Sequence, residues 1–418
     1  MRILIVSDSF IESLSASEAA DAIAAGILTI DPSVEIEKIP FSDGGEGALD
    51  VLQKYGKGEL VLCKTENALG KPIEASYFRF HQNKTAWIEL SQASGLALIP
   101  SRERDILKAS TYGTGQLIKD AIDKGCKEII LGLGGSATND SGAGLFQALG
   151  GKLLDSEGKE LQRGGAYLSR LHTIIPPQKL SHIKWIVACD VDNLLLGVKG
   201  TSAVYGPQKG ANIDDVKVLE KGLTQFSQSI ESHYKKDISK LKGGGAAGGT
   251  AAGISGFFDA KLAGGFSLLA KMINLESSVK QTDLIITSEG KLDQQSINGK
   301  LTVGVARLGK KYGIPVVGLA GAIEGPFEPL YDEGFTGVFS IQSGPLSLEE
   351  SQTMAAQLIQ VATSRIYRFF TSCKKHSSSL ICSLLFYKSL YLHHYFPYET
   401  ALSSLLPSSI TIPLMGRK

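Results

Sequence analysis

The chain has 418 residues, length for two or three ordinary domains. Apolar residues make up 43% and charged residues 20%, which supports a packed core and excludes global disorder. Lysine and arginine total 43 against 42 acids, and the net charge of +1 offers no overall basic field to nucleic acid or an anionic membrane. Five cysteines (Cys63, Cys126, Cys189, Cys373, Cys382) form no zinc or disulfide spacing. The apolar run in MRILIVSDSF is too short for a signal peptide, and no stretch nears the ~18 uncharged residues of a membrane span. A cytoplasmic protein with no membrane or nucleic-acid partner is expected.

In chain order, the first strand is expected at 2–7. Ser15 with Glu18 three residues later makes a capping box ahead of the helix in ASEAADAIAAGI. A strand at 34–39 and a helix at 48–55 follow. Residues 75–80 and 85–90 alternate apolar and polar side chains, which predicts an antiparallel pair turning at 81–84. Strands are then expected at 129–133, 186–189, 284–287, 316–319 and 337–341. Helices are expected at 114–124, 143–148, 216–234, 303–311 and 348–367. This alternation is the α/β signature. The antiparallel texture of the middle predicts a second α/β domain, 71–279, interrupting a parallel-sheet domain made of 1–70 and 280–370. Residues 371–418 hold one glycine and one acid, are rich in Ser, Leu, Tyr and His, and read as a poorly ordered appendage.

Ligands of open parallel sheets bind beyond the carboxyl ends of the strands. Acids and glycines recur there: Asp8 after ILIV, Asp43 in FSDGGEG, Asp140 in GLGGSATNDSGAG, Asp190 and Asp192 in ACDVDN, Glu289 in SEGKLD. If the strands share one cleft, these carboxylates converge and need a cation; Mg²⁺ is the simplest. Glycine is also the compositional outlier, at 47 residues where an average chain of this length carries about 30. Two glycine loops compete to cradle phosphate: 132–144, with Gly134 and Gly135, and GGGAAGG, with Gly243, Gly244, Gly248 and Gly249. Neither is a P-loop. Together these features point to phosphoryl transfer from a nucleotide. Gly132, Gly134 and Ala137 also spell GxGxxA, with Asp155 near the spacing of a ribose-binding acid, so an NAD(P)-dependent oxidoreductase is the alternative. Lys209 and Lys291 stand beside glycines in loops, suited to a phosphate or a carboxylate.

Ten strings in register, among them SDSFIESLSASEAADAI, FSDGGEG, GLGGSATNDSGAG, ACDVDN, YGPQKGA, GGGAAGG and EGKLDQQSINGK, resemble the bacterial type I glycerate kinase family from about residue 1 to about 370. The resemblance implies a Rossmann-like domain interrupted by a second α/β domain, with the active site in the interdomain cleft. It implies ATP-dependent phosphorylation of D-glycerate with Mg²⁺, with 2-phosphoglycerate favoured, in glyoxylate- or glucarate-derived carbon metabolism. The roles it implies are Asp190 as base, Asp192 and Glu289 as metal ligands, and Lys291 at the reacting phosphate. Asp8, Asp43, Ser136, Asn139 and Lys209 would bind substrate. A homodimer is one compatible state. The chain departs from the family pattern at Ile11, where a lysine usually follows Ser-Phe, and at Ser288, where glycine is usual. With the foreign 371–418 segment, these departures leave a non-catalytic, ligand-binding pseudokinase as a third reading.

Overall fold

The computed structural model describes residues 1–10, 13–42, 47–178, 180–293, 296, 301–326 and 328–373. Asp43, Ile11 and most of the expected appendage lie outside the described residues. The chain divides into two compact units, Met1–Thr363 and a second beginning at Ser364, whose described residues are helical.

The strands, in chain order, are β1 Arg2–Ser7, β2 Glu35–Pro40, β3 Gly58–Glu66, β4 Pro72–Phe80, β5 Thr85–Glu89, β6 Glu128–Gly132, β7 Lys152–Leu154, β8 Thr173–Ile175, β9 Lys184–Ala188, β10 Lys261–Ala263, β11 Leu284–Leu292, β12 Val316–Ile323 and β13 Gly337–Ser340. They build two main sheets. The first is wholly parallel, in the order β13-β12-β11-β1-β2. The second runs β10-β9-β6-β5-β4-β3; it is parallel from β10 to β5 and antiparallel from β5 to β3. β7 and β8 form a separate ribbon.

Central parallel strands are covered on both faces and so read as unbroken apolar runs. RILIVS in β1 and EIILG in β6 are of this kind, with every residue but the first buried. The β4–β5 pair is antiparallel, as its alternation predicts, with Phe78 opposite Trp87. β3 is a strand that periodicity missed. It pairs with β4 along its whole length, Gly58 opposite Phe80 and Glu66 opposite Pro72. Its apolar residues fall on both faces, Leu60 and Leu62 outward and Val61 and Cys63 inward, so no clean alternation marks it. The chain therefore changes sheet between Pro40 and Gly58, earlier than residue 70, and returns between Ala263 and Leu284.

The expected capping box is present: Glu18 N–H donates to Ser15 Oγ at 3.3 Å, and Ser15 N–H to Glu18 Oε2 at 2.8 Å. The helix expected at 216 starts at Ile213. Asn212 Oδ1 takes the Asp214 and Asp215 N–H groups, and Asp215 answers with its carboxylate on Asn212 N–H. The cap, not the first buried apolar residue, sets the start. The helix expected over 348–367 breaks at Met354, after Leu348–Thr353.

One apolar cluster joins the sheets. It takes Leu4, Val6 and Ile39 from the first, Phe78, Trp87 and Ile130 from the second, and Leu49, Leu52, Phe266 and Leu269 from the helices Ala48–Tyr55 and Gly265–Met272. Burying a large apolar side chain is worth about 1.5–3 kcal/mol, so this shared cluster couples the two sheets into one cooperative unit.

Candidate active site

In the first sheet β1 leads to β2 on one side, while β11 comes to its other side from much later in the chain. The strand order thus reverses between β1 and β11, and an open parallel sheet binds its ligands at such a switch point. Ser7 is in register with Ser288, so Asp8, just past β1, and Glu289, still inside β11, stand side by side, and Asp8 N–H donates to Ser288 O at 2.9 Å. Both acids line a cavity of 930 Å³. Gly134 and Gly135, beyond the carboxyl end of β6 in the other sheet, form the opposite wall. The cleft therefore lies where the strand ends of both sheets meet. Lys291 and Ser42 also line it.

Each acid has a distinct setting. Glu289 is buried, and Thr302 Oγ1 donates to its Oε1 at 2.6 Å, which fixes the carboxylate. Asp8 is half-buried and accepts its neighbour's Ser9 N–H at 2.7 Å. Lys291 Nζ is 2.8 Å from Glu324 and 3.8 Å from Asp293, and these partners hold its pKa above the usual lysine value. The far wall comes from a segment that sequence reading assigned no function. Ile341, Pro345, Leu346 and Leu348 supply apolar surface, and Gln352 O accepts from Ser13 Oγ at 2.8 Å. Nothing in SIQSGPLSLEE carries a chemical signature; only its position marks it.

The remaining expected residues separate into two groups. Asp190 and Asp192 do not line the cavity. Asp190 stands two residues past β9, and Gly265 N–H donates to its carboxylate at 2.9 and 3.1 Å, at the start of the helix Gly265–Met272. Asp192 is half-exposed and ion-paired with Lys242 at 3.1 Å.

The second group lies behind the Gly134–Gly135 turn. Lys209 is only 4% exposed; its Nζ donates to Thr138 O at 2.8 Å and Ser136 Oγ at 3.3 Å. Burial pulls its pKa down to about 7, with the Asp140 charge opposing. Asn139 is fully buried, its Nδ2 donating to Ser202 Oγ at 3.1 Å and its Oδ1 unpartnered. Asp140, expected in the cleft, is instead sealed beneath it. It accepts from Thr111 N–H at 2.8 Å, Thr111 Oγ1 at 3.0 Å, and Gly142 and Gly144 N–H at 3.2 Å each. Those donors make it a loop anchor, although burial still raises its pKa.

The GGGAAGG loop packs against this anchor and does not line the cavity. A Cβ on Gly248 would sit 2.0 Å from Thr138 O, and one on Gly249 2.4 Å from Ser141 Oγ. Both have positive φ, so glycine there serves backbone approach. Gly243 and Gly244 are buried in the same turn, with Gly245 N–H on Asn193 O at 2.9 Å.

The dinucleotide alternative fails on geometry. A GxGxxA fingerprint must open directly into a helix, yet the helix after Ala137 begins only at Ala143. Asp155, its ribose acid, is taken up by Arg170 at 2.8 Å and by the N–H groups of Glu157 and Lys159.

One acid was missed altogether. Glu89 ends β5 beside Gly132 and is 1% exposed. Leu49 N–H donates to its Oε1 at 2.7 Å, and Gly47 N–H also donates, which ties the second sheet to the helix that follows Ser42. Burial raises its pKa to about 7. A glutamate at the end of TAWIE looks like an ordinary strand terminus; only its burial sets it apart.

A two-sheet α/β body with acids at a switch point and glycine backbone opposite defines an enzyme for a small polar ligand. A model of the glycerate kinase family matches residues 3–371. Glycerate kinase of Halalkalibacterium halodurans is 42% identical over 368 residues, 87% of this chain and 97% of that protein. Glycerate 2-kinase of Escherichia coli is 40% identical over 355 residues, 84% and 93%. A crystal structure described as glycerate kinase 2 of Salmonella typhimurium LT2 superposes with a TM-score of 0.75 at 38% identity, covering 90% of this chain and 99% of that one. The protein is a kinase, and it belongs to the glycerate kinase family.

Proposed function

We propose that the cleft phosphorylates D-glycerate from MgATP, with 2-phosphoglycerate as product. The observation that carries this reading is the pairing of Asp8 and Glu289 at the β1/β11 switch point, facing the Gly134–Gly135 backbone across one cavity. The name of the Escherichia coli relative supports transfer to the 2-hydroxyl.

Two neighbouring carboxylates are a hard-oxygen donor set that fits Mg²⁺, which takes one or two protein carboxylates and keeps the rest of its shell for water and phosphate. Asp8 and Glu289 would hold it; Asp192, committed to Lys242, is the weaker choice. The ion supplies neutralisation of phosphate charge. The residues around it position and shield. Lys291 places a cation at the cavity wall, Gly134 and Gly135 allow close backbone approach to phosphate, and the Ile341–Leu348 surface suits a nucleotide base.

Asp190, which stands outside the cavity lining, is proposed from the family resemblance to take the proton from the glycerate hydroxyl, its carboxylate held by the Gly265 N–H. Asp190→Asn keeps the acceptor oxygen for that N–H but loses basicity. Normal folding with turnover reduced at least a hundredfold is expected; near-normal turnover would confine Asp190 to capping the helix. Among the described residues no helix is long and apolar enough to cross a membrane.

The test is phosphorus NMR of the product made from D-glycerate and MgATP, with ADP release followed in parallel. A 2-phosphate signal supports the reading, a 3-phosphate signal corrects the regiochemistry, and ATP binding without ADP release favours the pseudokinase.

A further inference from the structure

Seven arginines lie in Met1–Thr363. Five are ion-paired: Arg2 with Glu35 and Glu37, Arg79 with Glu59, Arg163 with Glu66, Arg170 with Asp155, and Arg307 with Glu333. Arg102 is exposed. Arg104 is of neither kind. It is half-buried, its Nε is shielded from water with no hydrogen-bond partner, and among the described residues no acid pairs with it. A guanidinium nitrogen buried without a partner is costly. Its planar fork of donors matches an oxyanion.

Its surroundings connect it to the cleft. Arg104 Cβ lies 3.5 Å from where a Cβ on Gly210 would stand. Gly210 follows Lys209, whose amine reaches Ser136 and Thr138. Those two residues continue the loop that begins with the cavity-lining Gly134 and Gly135. The segment leading to Arg104 is stitched to the same loop, with Leu96 N–H on Gly135 O at 2.7 Å and Ala137 N–H on Ser94 O at 2.9 Å. The Lys209 amine therefore meets this turn directly, and the Arg104 side chain, with its Nε buried and unpartnered, starts from beside Gly210 next to it.

We propose that Arg104 and Lys209 form a seat for a ligand oxyanion beside the Ser136–Thr138 turn. The proposal deepens the kinase reading and rests on it. The oxyanion is either the carboxylate of the three-carbon acid or a phosphate of the nucleotide. Arg104 supplies the directional fork and Lys209 a point charge. Burial leaves the Lys209 amine easily deprotonated near pH 7, and an arriving anion would restore its proton affinity.

The experiment is calorimetric titration of wild type, Arg104→Met and Arg104→Lys with D-glycerate, and separately with a non-hydrolysable ATP analogue plus Mg²⁺. Arg104→Met is expected to bind one ligand at least tenfold more weakly and keep the other within twofold; Arg104→Lys loses less of the same ligand. A loss confined to glycerate assigns the seat to the carboxylate, and one confined to the analogue assigns it to phosphate. A general packing defect would weaken both equally and, like wild-type affinity for both in Arg104→Met, would overturn the seat. If Arg104→Met fails to fold, Arg104→Lys decides: unchanged affinity for both ligands overturns it. Wild-type protein that binds both ligands but releases no ADP overturns the kinase reading, while the same titrations still judge the seat.

Discussion

The strand ends of the two sheets carry the same residue types and use them differently. On the first sheet, Asp8 and Glu289 face a cavity and present their charge to it. On the second, Glu89 and Asp140 point their carboxylates at backbone N–H groups and are sealed from water. The first pair serves a ligand, and the second holds the loops that shape the ligand's site. An acid beyond a strand is therefore no mark of chemistry until its donors are counted.

The sharpest way to break this comparison is to neutralise one acid from each sheet. Glu289→Gln should lower turnover about a thousandfold, equivalent to ~4 kcal/mol of transition-state stabilisation. Its urea midpoint should stay near wild type; a parallel loss of stability would make Glu289 an anchor like Asp140. Asp140→Ala should do the opposite in kind. It strands four donors in a buried site, and about 3 kcal/mol or more of stability should disappear in urea unfolding. A variant as stable as wild type would show that the loop anchors itself elsewhere.

Glu89 sharpens the contrast through pH. Its folded pKa of about 7 lies above the ordinary glutamate value of 4.5, so the folded state holds the proton more tightly. Stability from this group is full below pH 4.5, declines as pH rises toward 7, and is absent above. Glu89→Gln keeps the acceptor for Leu49 N–H without the buried charge. It should gain ~2 kcal/mol over wild type at pH 8 and nothing near pH 4.5. Denaturant midpoints at the two pH values measure the difference, and equal shifts at both would exclude a titrating carboxylate. The smallest effect is expected at a side chain that caps a helix on the surface. Ser15→Ala should cost ~1 kcal/mol through loss of the capping box, with kcat unchanged.

The fold was legible where one signal dominated. ILIV and EIILG announced buried parallel strands, and Ser15 with Glu18 marked a helix start. β3 was not legible because an edge strand with apolar residues on both faces has no single period. The helix Gly265–Met272 was missed as well; it opens on a glycine without a side-chain cap. At the site, Asp8 and the Gly134–Gly135 turn were readable as strand-end residues, and Glu289 and Lys291 were read the same way although β11 runs through both to Leu292. Lys209 was readable as a lysine beside a glycine, but its burial was not. Burial comes from contacts distant in the chain, and that also explains why Glu89 and Arg104 gave no signal.

The strand order of the first sheet has a consequence for biosynthesis. β1 leaves the ribosome some 280 residues ahead of its neighbour β11, Leu4 meeting Ile285. At 5–20 residues per second, β1 waits roughly fifteen to sixty seconds with one apolar edge open. The whole second sheet is translated in that interval and can fold first. The nascent chain thus carries an unzipped seam through that interval, a natural target for chaperone capture and the place where a stalled or truncated product would begin to aggregate.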